Sequence, residues 1–343
     1  MRSTKIQVSY HWNPSRILNH HNVFISLISL LSLTALSAPQ NTTSSPKRGL
    51  VDTFNHASHD PTLFTAANST LTWFYNYYYL PTIRRTPLTY VPMIHGLSTL
   101  SASLPAIRSL DASVTHLLTF NEPDGSAESG GSNISAPDAA EAYISSILPL
   151  RDSHGLKISL PATTGSGRGM DWLADFNASC FSLNPDVGCP ADFAAVHWYG
   201  DFGGMASYLG QFHEMYPQLP LWLTEFALPA ASANVTGEMM RQSLAFLDGL
   251  EWVERYSWFG AFRPVDANAF TGDGVSLVGD GGGLSELGVM YLGGEGSGYY
   301  VGQTSGAGSS AVPGVPGMGG LKERLKVLEV VFGLVVWVMW FIA

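Results

Sequence analysis

Leu117-Leu118-Thr119-Phe120-Asn121-Glu122-Pro123-Asp124 is an apolar run that breaks off in a polar, acidic tip. Short continuous apolar runs of this kind fit strands buried on both faces. Leu221-Trp222-Leu223-Thr224-Glu225-Phe226 repeats the design, with its glutamate 103 residues after Glu122. Two strands that each finish on a glutamate would aim two carboxylates at one cleft. Paired carboxylates are the working parts of most glycoside hydrolases.

Working outward, similar runs recur at Gly49 to Phe54, Leu71 to Tyr77, Thr89 to Ile94, Leu156 to Leu160, Phe193 to His197 and Tyr256 to Phe262. With His116 to Phe120 and Leu221 to Glu225 they make eight. Helix-compatible segments lie between several of them. Ala136 to Leu148 opens with Pro137-Asp138, a favourable first turn. Gly169 to Phe176, Gly204 to Met215 and Gly237 to Val253 are others, and Pro61 to Ala67 is a weaker one. Alternation of strand and helix implies a parallel sheet. Eight units between about Lys47 and Gly302 predict an α/β chain folded as a single-domain (β/α)8 TIM barrel, a fold of about 250 residues. The alternative is an open doubly wound sheet, but no Gly-rich nucleotide loop follows the first strand. Asp280 to Gly283 reads as a local turn, since no Lys-Ser/Thr pair follows it.

The 343 residues are 45% hydrophobic, only 13% charged, and carry a net charge of −10. That balance gives no attraction to phosphate backbones, so nucleic acid is excluded as a partner, while neutral polysaccharide suits it. The two cysteines, Cys180 and Cys189, would pair as a disulfide in an oxidising compartment, and would otherwise be free thiols. His56 and His59 look like a loose metal pair without a third ligand, so a surface loop is the reading and no metal or cofactor is expected.

Both ends read as addresses. Arg2, Lys5 and Arg16 precede an apolar stretch from Val23 to Leu36, then Ser37 and Ala38, which makes residues 1–38 a secretory signal peptide, or else an uncleaved anchor. At the other end, a Gly/Ser/Pro-rich spacer at 303–326 leads into an apolar tail at 327–343. Small residues, a spacer and such a tail resemble a glycosylphosphatidylinositol attachment signal; a retained tail anchor is the alternative. Sequons at Asn41, Asn68, Asn133, Asn177 and Asn234 suit the secretory route, with Asn41, Asn68, Asn177 and Asn234 taken as glycosylation candidates. The expectation is a secreted or cell-surface monomer that meets the membrane only through its C-terminal anchor.

In a β/α barrel, catalytic groups project from the C-terminal ends of strands. Asn121, Glu122, Glu225, His197, Trp198, Tyr199, Trp73, Tyr75, Asn76, Tyr77, Trp258 and Phe259 would then ring one mouth, with aromatic faces for a sugar chain. Trp198 reads equally as subsite or packing, and Asp124 as a cap for the next segment. Lys47-Arg48-Gly49-Leu50, Val91-Pro92-Met93, Leu117 to Asp124, Gly131-Ser132-Asn133-Ile134-Ser135, Cys189 to Gly200, Trp222 to Phe226 and Trp258-Phe259-Gly260 form an ordered set. This set resembles glycoside hydrolase family 128, the fungal glycosyl hydrolase catalytic core proteins. The resemblance implies a β/α barrel hydrolysing β-1,3-glucan in a cell-wall setting, with Glu122 as acid/base and Glu225 as nucleophile. His95 departs from the pattern, which would place an aromatic residue such as Trp there, and Val51 to Asn55 does not match cleanly.

The expected chemistry is retaining hydrolysis, with carboxyl groups about 5–5.5 Å apart. Glu122 should then have the higher pKa and Glu225 stay ionised, while Asn121 holds a sugar 2-hydroxyl. A wall-glucan-binding protein without turnover, and a related barrel acting on mannan or cellulose, are the competing readings.

Overall fold

The structure is a computed structural model that describes residues 46–53, 60–65 and 69–305. The signal and tail segments, His56, His59, Asn41 and Asn68 lie outside the described residues. No described helix is long and apolar enough to cross a membrane.

Eight strands alternate with helices: β1 (Gly49–Val51), β2 (Trp73–Tyr75), β3 (Thr89–Tyr90), β4 (His116–Asn121), β5 (Lys157–Ala162), β6 (Ala194–Tyr199), β7 (Leu221–Ala227) and β8 (Val253–Trp258). They pair in parallel as β1-β2-β3, β4-β5 and β6-β7-β8. Isolated parallel bridges then join Met93 to Leu118, Ser159 to Phe193, Thr163 to Val196 and Arg48 to Tyr256. These single bridges link the three sheets, the last of them tying Arg48, beside β1, to Tyr256 of β8.

The seam between β8 and β1 explains the Lys47-Arg48-Gly49 motif. Lys47 Nζ donates to the carbonyls of Leu247, Asp248 and Leu250. Buried Arg48 donates to the Tyr256 hydroxyl at 2.8 Å, the Tyr291 carbonyl at 3.0 Å and the Asp248 carboxylate at 2.9 Å. A Cβ on Gly49 would sit 2.2 Å from the Trp73 ring, so no side chain fits there.

The strands are buried on both faces, which is why their sequence runs do not alternate. One face builds an inner cluster of Val51, Trp73, Tyr75, Val91, Met93 and Trp222 with their neighbours. The other packs on α2 (Leu97–Arg108), α3 (Ala136–Ala142), α4 (Pro149–His154), α5 (Gly167–Leu183), α6 (Phe202–Met215), α7 (Ala233–Gly249) and α8 (Glu286–Tyr291). The first helix, α1 (Thr62–Thr65), is one turn long.

α2 has no counterpart among the expected helices, because it is rich in Ser and carries Pro105 inside it. α5 runs further than expected in both directions, from its Ser166 cap to Leu183. The expected helix at 136–148 is broken by a π turn over Tyr143–Ile147 and continues as α4. Cys180 and Cys189 are joined by a disulfide, tying the end of α5 to the segment before β6. The Gly-rich stretch after α8 packs back on the domain, with Tyr299 fully buried and Gln303 nearly so.

Candidate active site

Glu122, Glu225 and His197 come together at the C-terminal ends of β4, β7 and β6. One carboxylate oxygen from each glutamate and a ring nitrogen of His197 lie within 4.8 Å of one another. The imidazole sits between the acids. Its Nδ1 is 2.8 Å from Oε1 of Glu122. Its Nε2 is 3.3 Å from Oε1 of Glu225, within ion-pair distance but off the hydrogen-bond direction. Each nitrogen faces a different carboxylate, whereas a metal ligand set must converge on a single point.

Glu225 is buried and held by phenols. Tyr77 donates to its Oε1 at 2.8 Å and Tyr199 to its Oε2 at 2.6 Å. Tyr75 donates to the Thr224 carbonyl at 3.0 Å and lies 3.5 Å from Oε1. Burial and then the Glu225 charge push all three phenols well up, so they remain donors. Burial also raises the Glu225 carboxyl; His197 and the phenols oppose that and Glu122 adds to it. Burial thus works against the charge that Glu225 is expected from the sequence to keep. Burial works against a charged His197, but Glu225 and then Glu122 outweigh it and raise its pKa.

Glu122 is the more accessible acid, with 13% of its side chain exposed. Its backbone has φ +39°, left-handed for a residue with a side chain. The following loop holds it there: Gly125 N donates to the Glu122 carbonyl at 2.8 Å and Ser132 N at 3.2 Å. A Cβ on Gly131 would meet the Gly125 carbonyl at 2.6 Å, so only glycine lets the loop close this tightly. Asn121 donates to the Gly130 carbonyl at 3.2 Å, as does His95 Nε2, and buried Oδ1 of Asn121 has no partner. Asp124 accepts from Thr164 N at 2.9 Å and from the Thr164 hydroxyl, which ties this loop to the end of β5.

Two expected sugar platforms fall elsewhere. Trp73 opens β2, at the opposite end of the strands, with 1% exposure and its Nε1 donating to the Lys47 carbonyl. Trp258 is at the correct end but on the outward face, fully buried, with Nε1 donating to the Val275 carbonyl. Neither offers a ring to substrate. The rings that line the mouth are the expected Tyr77 and Phe259, joined by Phe270. Tyr199 meets Phe259 edge-on at 5.7 Å and Phe270 edge-on at 5.2 Å, and Phe270 is 60% exposed. Tyr77 and Phe259 each stand just past a strand end, where the sequence already places them at the mouth; Phe270, on a loop, leaves no such periodic signal. Trp198 stacks on Tyr208 and its Nε1 donates to the Asp201 carbonyl. Asn177 is half-buried on α5 and Asn234 exposed on α7, while Asn133 is exposed beside the Glu122 loop.

Residues 49–291 match the family described as glycosyl hydrolase catalytic core. The chain belongs to that family, glycoside hydrolase family 128. Alkali-sensitive linkage protein 1 of Schizosaccharomyces pombe is 34% identical over 235 residues, 66% of this chain and 41% of the relative, so this chain spans less than half of that protein. A family 128 endo-β-1,3-glucanase from Amycolatopsis mediterranei, solved as a glutamate-to-glutamine mutant with laminarihexaose, shares 27% identity at TM-score 0.58. That match covers 73% of this chain and 99% of the glucanase. An oligosaccharide-binding family 128 protein from Cryptococcus neoformans shares the fold at 22% identity and TM-score 0.58, over 76% of this chain and 97% of its own.

Proposed function

We propose that this chain is a retaining β-1,3-glucan hydrolase, with Glu225 as nucleophile and Glu122 as acid/base. The observation that carries the reading is the approach of the two carboxylates to within 4.8 Å, measured between oxygens. Retaining enzymes hold theirs about 5–5.5 Å apart, whereas inverting ones leave room for a water at about 6.5–9.5 Å. In the first half-reaction a Glu225 oxygen bonds to the anomeric carbon as the glycosidic C–O bond breaks, and Glu122 protonates the leaving oxygen. In the second, Glu122 takes a proton from water, whose oxygen displaces Glu225 from the sugar. The phenols of Tyr77 and Tyr199 orient the nucleophile. Asn121 Oδ1, buried and unpartnered, is free to accept from a sugar hydroxyl. Phe259 and Phe270 offer apolar faces beside it.

The eight strands are read as a closed (β/α)8 barrel, supported by the bridge between Arg48 and Tyr256. Secretion, a lipid-held position at the cell surface and a role in fungal wall glucan metabolism complete the proposal, supported by the two terminal segments and the yeast relative. Because a fold does not fix turnover, and the same fold serves an oligosaccharide-binding protein, the test must separate cleavage from binding. Purified protein incubated with β-1,3-glucan, β-1,4-glucan and mannan should release sugar from the first alone, and Glu122→Gln and Glu225→Gln should abolish release. Glucan binding with no product from wild type would overturn the hydrolase reading and leave the binding one.

A further inference from the structure

The histidine between the acids carries an inference that rests on the hydrolytic reading and deepens it. We propose that, between turnovers, the catalytic proton is stored on Nδ1 of His197 and passed to Glu122 when a glycosidic oxygen arrives. His197 is then a positioning residue: its side chain has no exposed surface for a sugar to reach.

The surroundings favour a charged imidazole. Glu122 faces it from β4 and Glu225 from β7, at 2.8 and 3.3 Å. Asp124 adds negative charge from the loop after β4. Tyr199 of its own strand and Tyr77, just after β2, donate to Glu225, and Tyr75 of β2 donates to the Thr224 carbonyl, so none turns its hydroxyl to the ring. His95, after β3, bonds the Gly130 carbonyl. Arg168 approaches Asp124 at 3.8 Å, and is itself largely exposed. An imidazole enclosed by two carboxylates keeps its second proton because each acid gains by facing an N–H.

Two arrangements of the triad have the same atoms and the same net charge. In one, an imidazolium lies between two carboxylates. In the other, a neutral imidazole lies between a protonated Glu122 and an ionised Glu225. A single proton moving along the 2.8 Å contact from Nδ1 to Oε1 converts the first into the second. The second arrangement is the one that donates to a leaving oxygen. Once Glu122 has donated and Glu225 is an ester, the Nδ1 lone pair faces a bare carboxylate. The neutral ring no longer offsets the carboxylate's charge, and Glu122 takes the proton from water. When the ester breaks, the recovered proton returns to Nδ1, and the cycle balances.

The test is histidine nitrogen NMR on the folded protein, which reads proton location without turnover. Wild type should show one histidine with both ring nitrogens protonated at least about one pH unit above the ~6.5 of a free histidine. That signal should vanish in His197→Asn, whose amide can bond Glu122 but cannot store a proton. In Glu225→Gln its loss of the second proton should move down by about one pH unit or more, as removal of a contacting opposite charge requires. The alkaline limb of kcat/KM in wild type should follow the same midpoint, and should shift in His197→Asn. A singly protonated His197 at neutral pH, or a midpoint unmoved in Glu225→Gln, would overturn the proposal. If His197→Asn does not fold, the glutamine variants still decide it. Failure of the hydrolytic reading would look different: no product from any glucan, with the imidazolium signal intact.

Discussion

Two histidines are buried inside the same set of strands and are driven in opposite directions. His197, near the end of β6, faces two carboxylates at the mouth and is pushed toward its charged form. His116 opens β4 at the floor. It packs against Trp222 at 5.0 Å and Phe193 at 5.6 Å, near Arg255, and is pushed down to about 4, first by burial and then by that guanidinium. Arg255 in turn lies over the Trp222 ring at 4.1 Å. Burial is common to both ends. What differs is the sign of the buried charge, and this separates a place for chemistry from a plug.

The sharpest way to break this contrast is to neutralise the acids at the mouth. Glu122→Gln and Glu225→Gln should each lower kcat/KM on β-1,3-glucan by about 10²–10⁴-fold or more, with the urea unfolding midpoint no lower than in wild type. Trp222→Ala at the floor should do the reverse. It should cost about 3–5 kcal/mol in denaturant unfolding while the remaining folded protein keeps its KM.

Smaller effects sharpen the contrast. Tyr199→Phe removes a hydrogen bond to a charged acceptor and should cost about 1.5–3 kcal/mol in transition-state stabilisation, read as a ~10–100-fold lower kcat/KM. At the floor, the folded pKa of His116 lies below its unfolded value, so the unfolded chain takes up the proton first. Stability should be intact above pH ~6.5 and erode as pH falls toward about 4, and His116→Phe should flatten that part of the curve. Least of all, Arg255→Met exchanges a cation–π contact for the removal of a buried Nη1 without a partner. It should change unfolding free energy by less than about 1 kcal/mol.

The strands were legible because parallel strands covered on both faces leave continuous apolar runs; seven lie on those runs, while β8, at Val253–Trp258, begins three residues before the expected Tyr256 and ends four before Phe262. Glu122 and Glu225 were legible for a related reason, since a carboxylate closing such a run has no other place than the strand end. Trp73 and Trp258 were misread for two separate reasons. Trp73 shares its inward face with Tyr75, on which it stacks at 6.0 Å, but lies two residues nearer the floor. Trp258 is one residue out of phase, and a shift of one reverses the face. α2 escaped notice because its stability comes from packing rather than from the propensities of its serines and Pro105. The raised Glu225 carboxyl was also out of reach, because it depends on how completely three tyrosines and a histidine close around it.

The strained backbone at Glu122 has a consequence for how such a protein can diversify. With φ at +39° there, and no space for a side chain at Gly131, residues 122–132 tolerate neither insertion nor graft without tilting the acid. New preferences for glucan length or branching must therefore be written into other rims, such as the tyrosine-rich turn after β2 or the Phe270 loop. Engineers who wish to retune this scaffold should leave the β4 corner untouched and vary those two.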